Sequence, residues 1–365
     1  YAAQLTGNPH PTEPGAYLRD AVMTQKVSDA AVQDLPVGNA WSHYNWDRDG
    51  RQSCQMCHTA TGAANFMEDP DNYLAAENDY SHLVDWDTDP ANGSPQNELL
   101  YCWGCHSNAA EGELRTPGAI TLAYPNLSGV NPTMPDYGNS NVCINCHSGR
   151  GGMYRLLNNG AAAPDPAGTA VNGGTRTHYY ASGATLNQVL TDIGYRYFQD
   201  DGTGTLVSLD YDDRSYYAHN SLGCAECHMS SEEGHLFDVV EKNGSGVITT
   251  LTGQNCVGCH DGEHALFVAE SQVGTTQNIW NGSAAVPTIV TQQMADDTAA
   301  EMEHEKHGYH DAIDALGFVL TNAGTTPTSS YPYFTGSATD QGHGGGMHNW
   351  SYLHHEPGGY THNRY

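Results

Sequence analysis

Apolar residues follow no sustained period along most of the chain, and the long exception lies at residues 296–321. There Met302, Tyr309, Ile313, Leu316 and Leu320 recur at helical spacing and predict an amphipathic helix. Asn322 and Gly324 end it. His304 and His307 fall off its apolar face, which reads as a solvated position. A shorter helix is predicted over Ala21 to Leu35. Two hairpins are predicted as well. One joins Gly194 to Phe198 with Thr205 to Leu209 through Asp200-Asp201-Gly202-Thr203-Gly204. The other turns at Asn243-Gly244, after Val239-Val240. The remaining segments are broken by Asn, Asp, Pro and Gly, which means turns. Residues 325–365 are rich in Gly, His and Tyr and predict no regular element, with Gly342-His-Gly-Gly-Gly as a flexible stretch.

Composition changes this picture in one respect. Of 365 residues, 38% are hydrophobic and 15% charged, with 41 Gly and 17 Pro. Both fractions lie below the usual values of about 45–50% and about 25%. Such a chain buries less of its own apolar surface than its length implies. The expected fold is mostly irregular loop with short α-helices and a few short β-hairpins, wrapped around something other than its own side chains. The formal charge of −29 argues against nucleic acid and anionic membrane surfaces as partners. It suits cations, metal oxides or basic redox proteins. No run of eighteen apolar residues predicts a membrane span.

The missing core is supplied by one motif, Cys-x-x-Cys-His, used five times. It occurs as Cys54/Cys57/His58, Cys102/Cys105/His106, Cys143/Cys146/His147, Cys224/Cys227/His228 and Cys256/Cys259/His260. These copies use all ten cysteines. This is the attachment spacing of c-type haem. Each pair of thiols adds across two vinyl groups, and the adjacent His becomes the proximal iron ligand. Zinc or redox dithiols explain one such motif, but not five with His in every copy. The reading is five covalently bound c-type haems, whose array forms the core. Each motif is expected to open a short helix. Disulfides, the usual reading of ten cysteines in an exported protein, are argued against by the His that follows every pair.

The motifs divide the chain into an arm at 1–40, haems one to three at 41–150, a haem-free insert at 151–221, haems four and five at 222–270, and a helix and tail at 271–365. All are expected to form a single haem-wrapped unit. Motif spacing is uneven, so no solenoid is expected. Asn45-Trp-Asp47-Arg-Asp49-Gly50 resembles the start of a calcium loop, but Met56 stands where the closing acid belongs. The chain opens at Tyr1, which reads as a mature chain after removal of a signal peptide. Haem is attached outside the cytoplasmic membrane, so the expected location is extracellular or the cell surface, with the periplasm as the alternative.

A haem with a second protein ligand is closed and suited to electron transfer; one without can bind substrate. Fifteen of the 20 His remain after the five motif His are assigned. His219 lies five residues before Cys224, and His235 seven after His228. Both are distal candidates by position. His43 sits among Trp41 and Trp46, and His348 and His362 each precede an Asn that can fix the ring. His10, in the amino-terminal arm, is a candidate ligand to a haem of another subunit. His82, His264, His304, His307, His310, His343, His354 and His355 are weaker candidates. No nucleophilic triad or phosphate loop stands out, so no catalytic residue is assigned.

Several stretches resemble a family of exported multihaem c-type cytochromes from metal-reducing bacteria. They are Ser53-Cys-Gln-Met-Cys-His-Thr-Ala-Thr-Gly62, Glu98-Leu-Leu-Tyr-Cys-Trp-Gly-Cys-His106, Asn141-Val-Cys-Ile-Asn-Cys-His-Ser-Gly-Arg150, Cys224-Ala-Glu-Cys-His-Met229 with His235-Leu-Phe237, and Glu356-Pro-Gly-Gly-Tyr-Thr-His-Asn-Arg-Tyr365. The resemblance adds His178 to the distal candidates. In architecture the chain is also similar to cytochromes that polymerise into extracellular filaments, the OmcE and OmcS type of nanowire. That likeness implies a homopolymer in which a His of one subunit ligates a haem in the next. The alternatives are a soluble periplasmic electron carrier and a multihaem reductase with one open haem. Pentahaem nitrite reductases commonly carry Lys in place of one motif His, whereas all five motifs here end in His. The expected function is therefore electron transfer rather than catalysis.

Overall fold

The computed structural model describes residues 52–80, 100, 102–157, 177–178, 180–203, 206–208, 219, 223–230, 237–263, 265–328 and 333–362. The predicted helix at Ala21 to Leu35 and the calcium-like stretch before Arg51 lie outside them. Short helices, turns and small two-stranded antiparallel sheets make up the described fold. No helix among the described residues is long and apolar enough to cross a membrane. These residues fall into two compact units. The first takes those of Tyr1–Ile120, Asp136–Cys146 and Glu233–Phe237, and the second those of Thr121–Pro135, His147–Glu232 and Asp238–Tyr365.

In the first unit the motif helix Gln52–His58 runs straight into a second helix, Ala60–Glu68. Thr59 makes the joint. Its hydroxyl accepts from Gly62 N–H at 2.9 Å, satisfying an otherwise unpaired amide at the helix start, and it donates to the Gln55 carbonyl at 3.0 Å. Ala60, Ala63 and Ala64 are buried, and these small side chains let the helix Cys102–Cys105 approach through Gly104.

The second unit is built on the helix Gln292–Asn322. It is capped by the Thr291 side chain at Met294 N–H, and it is longer than its periodicity suggested. Met302, Tyr309, Ile313 and Leu320 are buried, as the pattern requires, and Leu316 is partly so. They pack with Ile248 and Leu251 of the hairpin Val240–Lys242/Ile248–Leu251 and with Trp350 and Tyr360. Each such aliphatic burial contributes about 1.5–3 kcal/mol. Charged side chains fix the register. Glu303 accepts from Ile248 N–H and from Lys306, both at 2.7 Å, and Lys306 reaches the Gly246 carbonyl at 2.6 Å.

Three elements differ from the sequence reading. The stretch Gly342-His-Gly-Gly-Gly is not flexible tail; it lies in a helix, Gln341–His354, followed by a short one, Gly359–His362. Asp340 caps the first of these by accepting from His343 N–H at 2.9 Å. Its glycines serve closeness rather than freedom: a methyl at Gly345 would collide with the ring of Tyr195. The hairpin expected from Gly194 begins only at Phe198, where Phe198–Asp200 pairs with Leu206–Ser208. The backbone of Tyr195 is occupied instead by Asn349, which accepts from its N–H at 2.6 Å and donates to its carbonyl at 2.9 Å. A hairpin at Thr276–Trp280/Ala285–Ile289 went unread, although Asn281-Gly282 marks its turn.

Candidate cofactor sites

Four of the motifs open α-helices, at Gln52–His58, Cys102–Cys105, Asn141–His147 and Cys224–His228. The expectation of a helix at every motif fails at the fifth, which forms only a 3₁₀ turn, Cys256–Gly258. Cys259 is left outside that turn as its closing residue. Its N–H binds the Cys256 carbonyl at 3.2 Å, and His260 N–H takes the same carbonyl at 2.8 Å. The chain then leaves the helical path because its next backbone groups are claimed elsewhere. The His260 carbonyl accepts from Phe267 N–H at 3.0 Å, and the Asp261 carbonyl from Trp280 N–H at 2.8 Å. Placement of the cysteines in a common core is likewise uneven. Cys259 and Cys102 are exposed, whereas the other eight are partly buried.

No two of the ten cysteines are joined in a disulfide. Several environments differ from that of a redox dithiol, whose attacking sulfur needs a depressed pKa. Burial pushes the Cys105 and Cys256 thiols up to about 11. The hydrogen bond with Cys57 and burial raise Cys146, and burial raises Cys227.

Four of the five motifs dock in pairs. In the first unit Asn145, between the two cysteines of motif three, donates its side-chain amide to the Met56 carbonyl at 2.8 Å. Met56 precedes the second cysteine of motif one, and the Cys57 thiol reaches back to the Asn145 carbonyl at 3.4 Å. The second unit repeats the device. Asn255, just before motif five, donates to the carbonyl of Glu226 at 2.7 Å, and Glu226 precedes the second cysteine of motif four. Ser230 completes this contact by donating to the Cys227 carbonyl at 2.8 Å and accepting from Gln254 N–H at 3.1 Å.

Two motif histidines in the second unit each face another imidazole. The rings of His228 and His362 have centroids 6.0 Å apart, and those of His219 and His260 are 6.1 Å apart. Two imidazoles bound to one metal at about 2.0 Å, with about 1.1 Å from nitrogen to ring centre, stand about 6 Å apart. Both spacings are those that an iron between the rings would require. Their outer nitrogens are fixed accordingly. His219 donates from Nδ1 to the Thr361 carbonyl at 2.8 Å, and His362 from Nδ1 to Glu356 Oε1 at 2.7 Å. A neutral imidazole protonated at Nδ1 leaves Nε2 as the ligand, and such a tether is the usual support of a metal-binding His. His260 is further backed by Phe267, stacked at 4.4 Å.

Two of the motif histidines carry a tether of the same kind: His106 Nδ1 meets the Glu113 carbonyl at 3.2 Å, and His147 Nδ1 the Tyr180 carbonyl at 2.8 Å. The backbone around the latter is strained, with φ of 76° at His178 and 52° at Tyr180. Arg150 N–H holds it at the Thr177 carbonyl, and Tyr180 N–H binds the His355 carbonyl. Burial, with Arg150 and His147 adding to it, pushes His178 down to about 4. At neutral pH it is therefore the uncharged imidazole that a metal binds.

The other candidates are placed differently. His348 is buried with its Nε2 donating to the Ile193 carbonyl at 2.8 Å. His355 donates from Nδ1 to Ser351, one turn back in its own helix, and His354 stacks on Trp350. His343 bonds Thr325, while His304 and His307 lie on the long helix, as the sequence reading placed them. His10, His43 and His235 lie outside the described residues, as do His82 and His264. The tethers Glu356, Thr361, Tyr180 and Glu113, and the docking amides Asn145 and Asn255, escaped the sequence reading. Carbonyl acceptors leave no residue-type signal, since any residue can supply one.

Comparison with known proteins agrees with this chemistry. Residues 2–115 match the family described as C-type polyheme cytochrome domain 2. The chain is 34% identical to the C-type polyheme cytochrome OmcB of Geobacter sulfurreducens over 401 residues, covering 95% of this chain and 46% of that protein. It is likewise 34% identical to OmcC of the same organism over 375 residues, covering 96% and 45%. The chain thus spans about half the length of the curated relatives it matches. No solved structure matches.

Proposed function

The chain belongs to the polyhaem c-type cytochromes of metal-reducing bacteria, and from that premise we propose that it is a pentahaem electron conduit with closed, bis-His irons. Each bound haem supplies a one-electron couple. The cysteines of the five motifs hold the groups, and His58, His106, His147, His228 and His260 are the proximal ligands. His362 and His219 are the distal ligands at motifs four and five. The observation that carries this reading is the ring spacing of 6.0 and 6.1 Å in those two pairs. The docking of motif three on motif one, and of motif five on motif four, supports it, because motifs in contact would bring their cofactors close together.

In its sharper form the conduit is an extracellular homopolymer that delivers electrons to metal oxides or redox proteins, with a histidine of one subunit closing a haem in the next. The surplus of histidines and the strongly acidic composition support this form. The test is ferric-state spectroscopy and haem quantitation on the exported protein, with negative-stain electron microscopy beside it. Five haems per chain, all low-spin, and filaments are expected. A substantial high-spin fraction would sink the closed-iron reading, and discrete particles at every ionic strength would sink the filament.

A further inference from the structure

The two facing pairs of imidazoles differ in what holds the outer nitrogen of the ring that lies outside the motif. His219 leans on a neutral peptide carbonyl, that of Thr361, as His106 and His147 lean on those of Glu113 and Tyr180. His362 leans on a carboxylate. Glu356 Oε1 accepts from its Nδ1 at 2.7 Å, and the Glu356 side chain is 1% exposed. A hydrogen bond to a carboxylate is roughly twice as strong as one to a neutral acceptor. It draws the proton outward and leaves the ring a better electron donor at its other nitrogen. Burial strengthens the effect, since little solvent screens the charge.

Glu356 is also held in place. Ser182 Oγ donates to both carboxylate oxygens, at 2.9 and 3.2 Å. The Glu356 N–H binds the Leu353 carbonyl, and its own carbonyl receives Gly359 N–H at 3.0 Å and the Tyr309 hydroxyl at 3.2 Å. The Tyr309 hydroxyl approaches so closely at Gly359 that a methyl there would overlap it. His362 is the ion-pair partner found for Glu356 among the described residues.

We propose that Glu356 is a positioning residue that makes His362 a more electron-rich axial ligand than His219, and so sets the motif-four site at a lower potential than its motif-five neighbour. The two sites adjoin through Asn255 and Glu226. A donor-rich ligand stabilises the ferric state, so an electron shared by this pair rests on the motif-five side.

The inference rests on the axial pairing proposed above, and the experiment separates the two. Full-length haem-loaded protein is titrated by spectroelectrochemistry, with ferric-state electron paramagnetic resonance alongside, in three variants. In Glu356→Gln, every haem should stay low-spin while one potential, at the low end of the set, moves upward alone. In Ser182→Ala, the carboxylate loses a competing donor and holds His362 harder, so the same potential should move downward. This second variant deletes a single hydroxyl and keeps the sign test available if the first fails to fold. His362→Ala should turn one haem high-spin. If it does so while both other variants leave the potentials in place, or move several together, the role of Glu356 is overturned and the pairing stands. If His362→Ala leaves all haems low-spin, the pairing itself is wrong.

Discussion

The carbonyl of Thr361 accepts a hydrogen bond from Nδ1 of His219 at 2.8 Å, across 142 positions of sequence. The next residue, His362, faces the imidazole of His228. One short helical turn, Gly359–His362, therefore serves both facing imidazole pairs. Replacing His219 or His362 by Ala should each expose one haem, and a different one. Covalent attachment is untouched, so haem content stays constant while the ferric high-spin signal rises by one site per variant and two in the double variant. Added imidazole should restore the low-spin spectrum. A high-spin signal common to both variants would contradict two separate sites.

The docking amides offer a second test. Asn145→Ala and Asn255→Ala each remove a side-chain donor from a motif carbonyl, and the loss should be about 1–2 kcal/mol. Asp at either position should be worse than Ala, because it sets a carboxylate against the carbonyl it must approach. Thermal unfolding followed in the Soret band measures the loss, and Soret circular dichroism reports whether the paired haems have moved apart.

Gly345→Ala places a methyl into the ring of Tyr195. On helix propensity alone the change would stabilise, by about 0.5–1 kcal/mol. Overpacking at this contact should win and destabilise the protein by about 1–3 kcal/mol. A raised melting temperature would show that the helix does not pack as described.

Asp340 gives a pH dependence with a definite sign. The His343 N–H that it caps, joined by Thr339 and His343 itself, holds its carboxyl below the usual range. A depressed folded-state value stabilises above the unfolded value of about 3.9 and is lost as pH falls through the folded one. Asp340→Ala should cost about 1 kcal/mol at neutral pH, and that difference from wild type should shrink as pH falls through the folded-state value. Asp340→Asn, which keeps an acceptor oxygen but loses the charge, should fall between wild type and Ala at pH 7. Melting curves of the three proteins between pH 2 and 7 check both statements.

How much of this was legible depended on what each feature is made of. The attachment motifs were, because cysteine pairs and their histidines are residue types with one chemical meaning at that spacing. Their local shape was less so: Cys259 falls outside a helix because distant amides, those of Phe267 and Trp280, claim the carbonyls that follow it. The face of the long helix was legible, since Met302, Tyr309, Ile313 and Leu320 repeat with its period. The helix Gln341–His354 was not. Its glycines weaken any local propensity, and the compensation, contact of Gly345 with Tyr195, lies far away in sequence. His219 and His362 stood out as candidates, but their irons did not. Which motif each one faces is decided by packing of the segment after Leu353 against Tyr309 and Ser182, and no local pattern carries that information.

The shared turn at Gly359–His362 also couples two places that are far apart in sequence. Thr361 and His362 are adjacent, so any displacement of this turn moves the tether of His219 and the ring that faces His228 together.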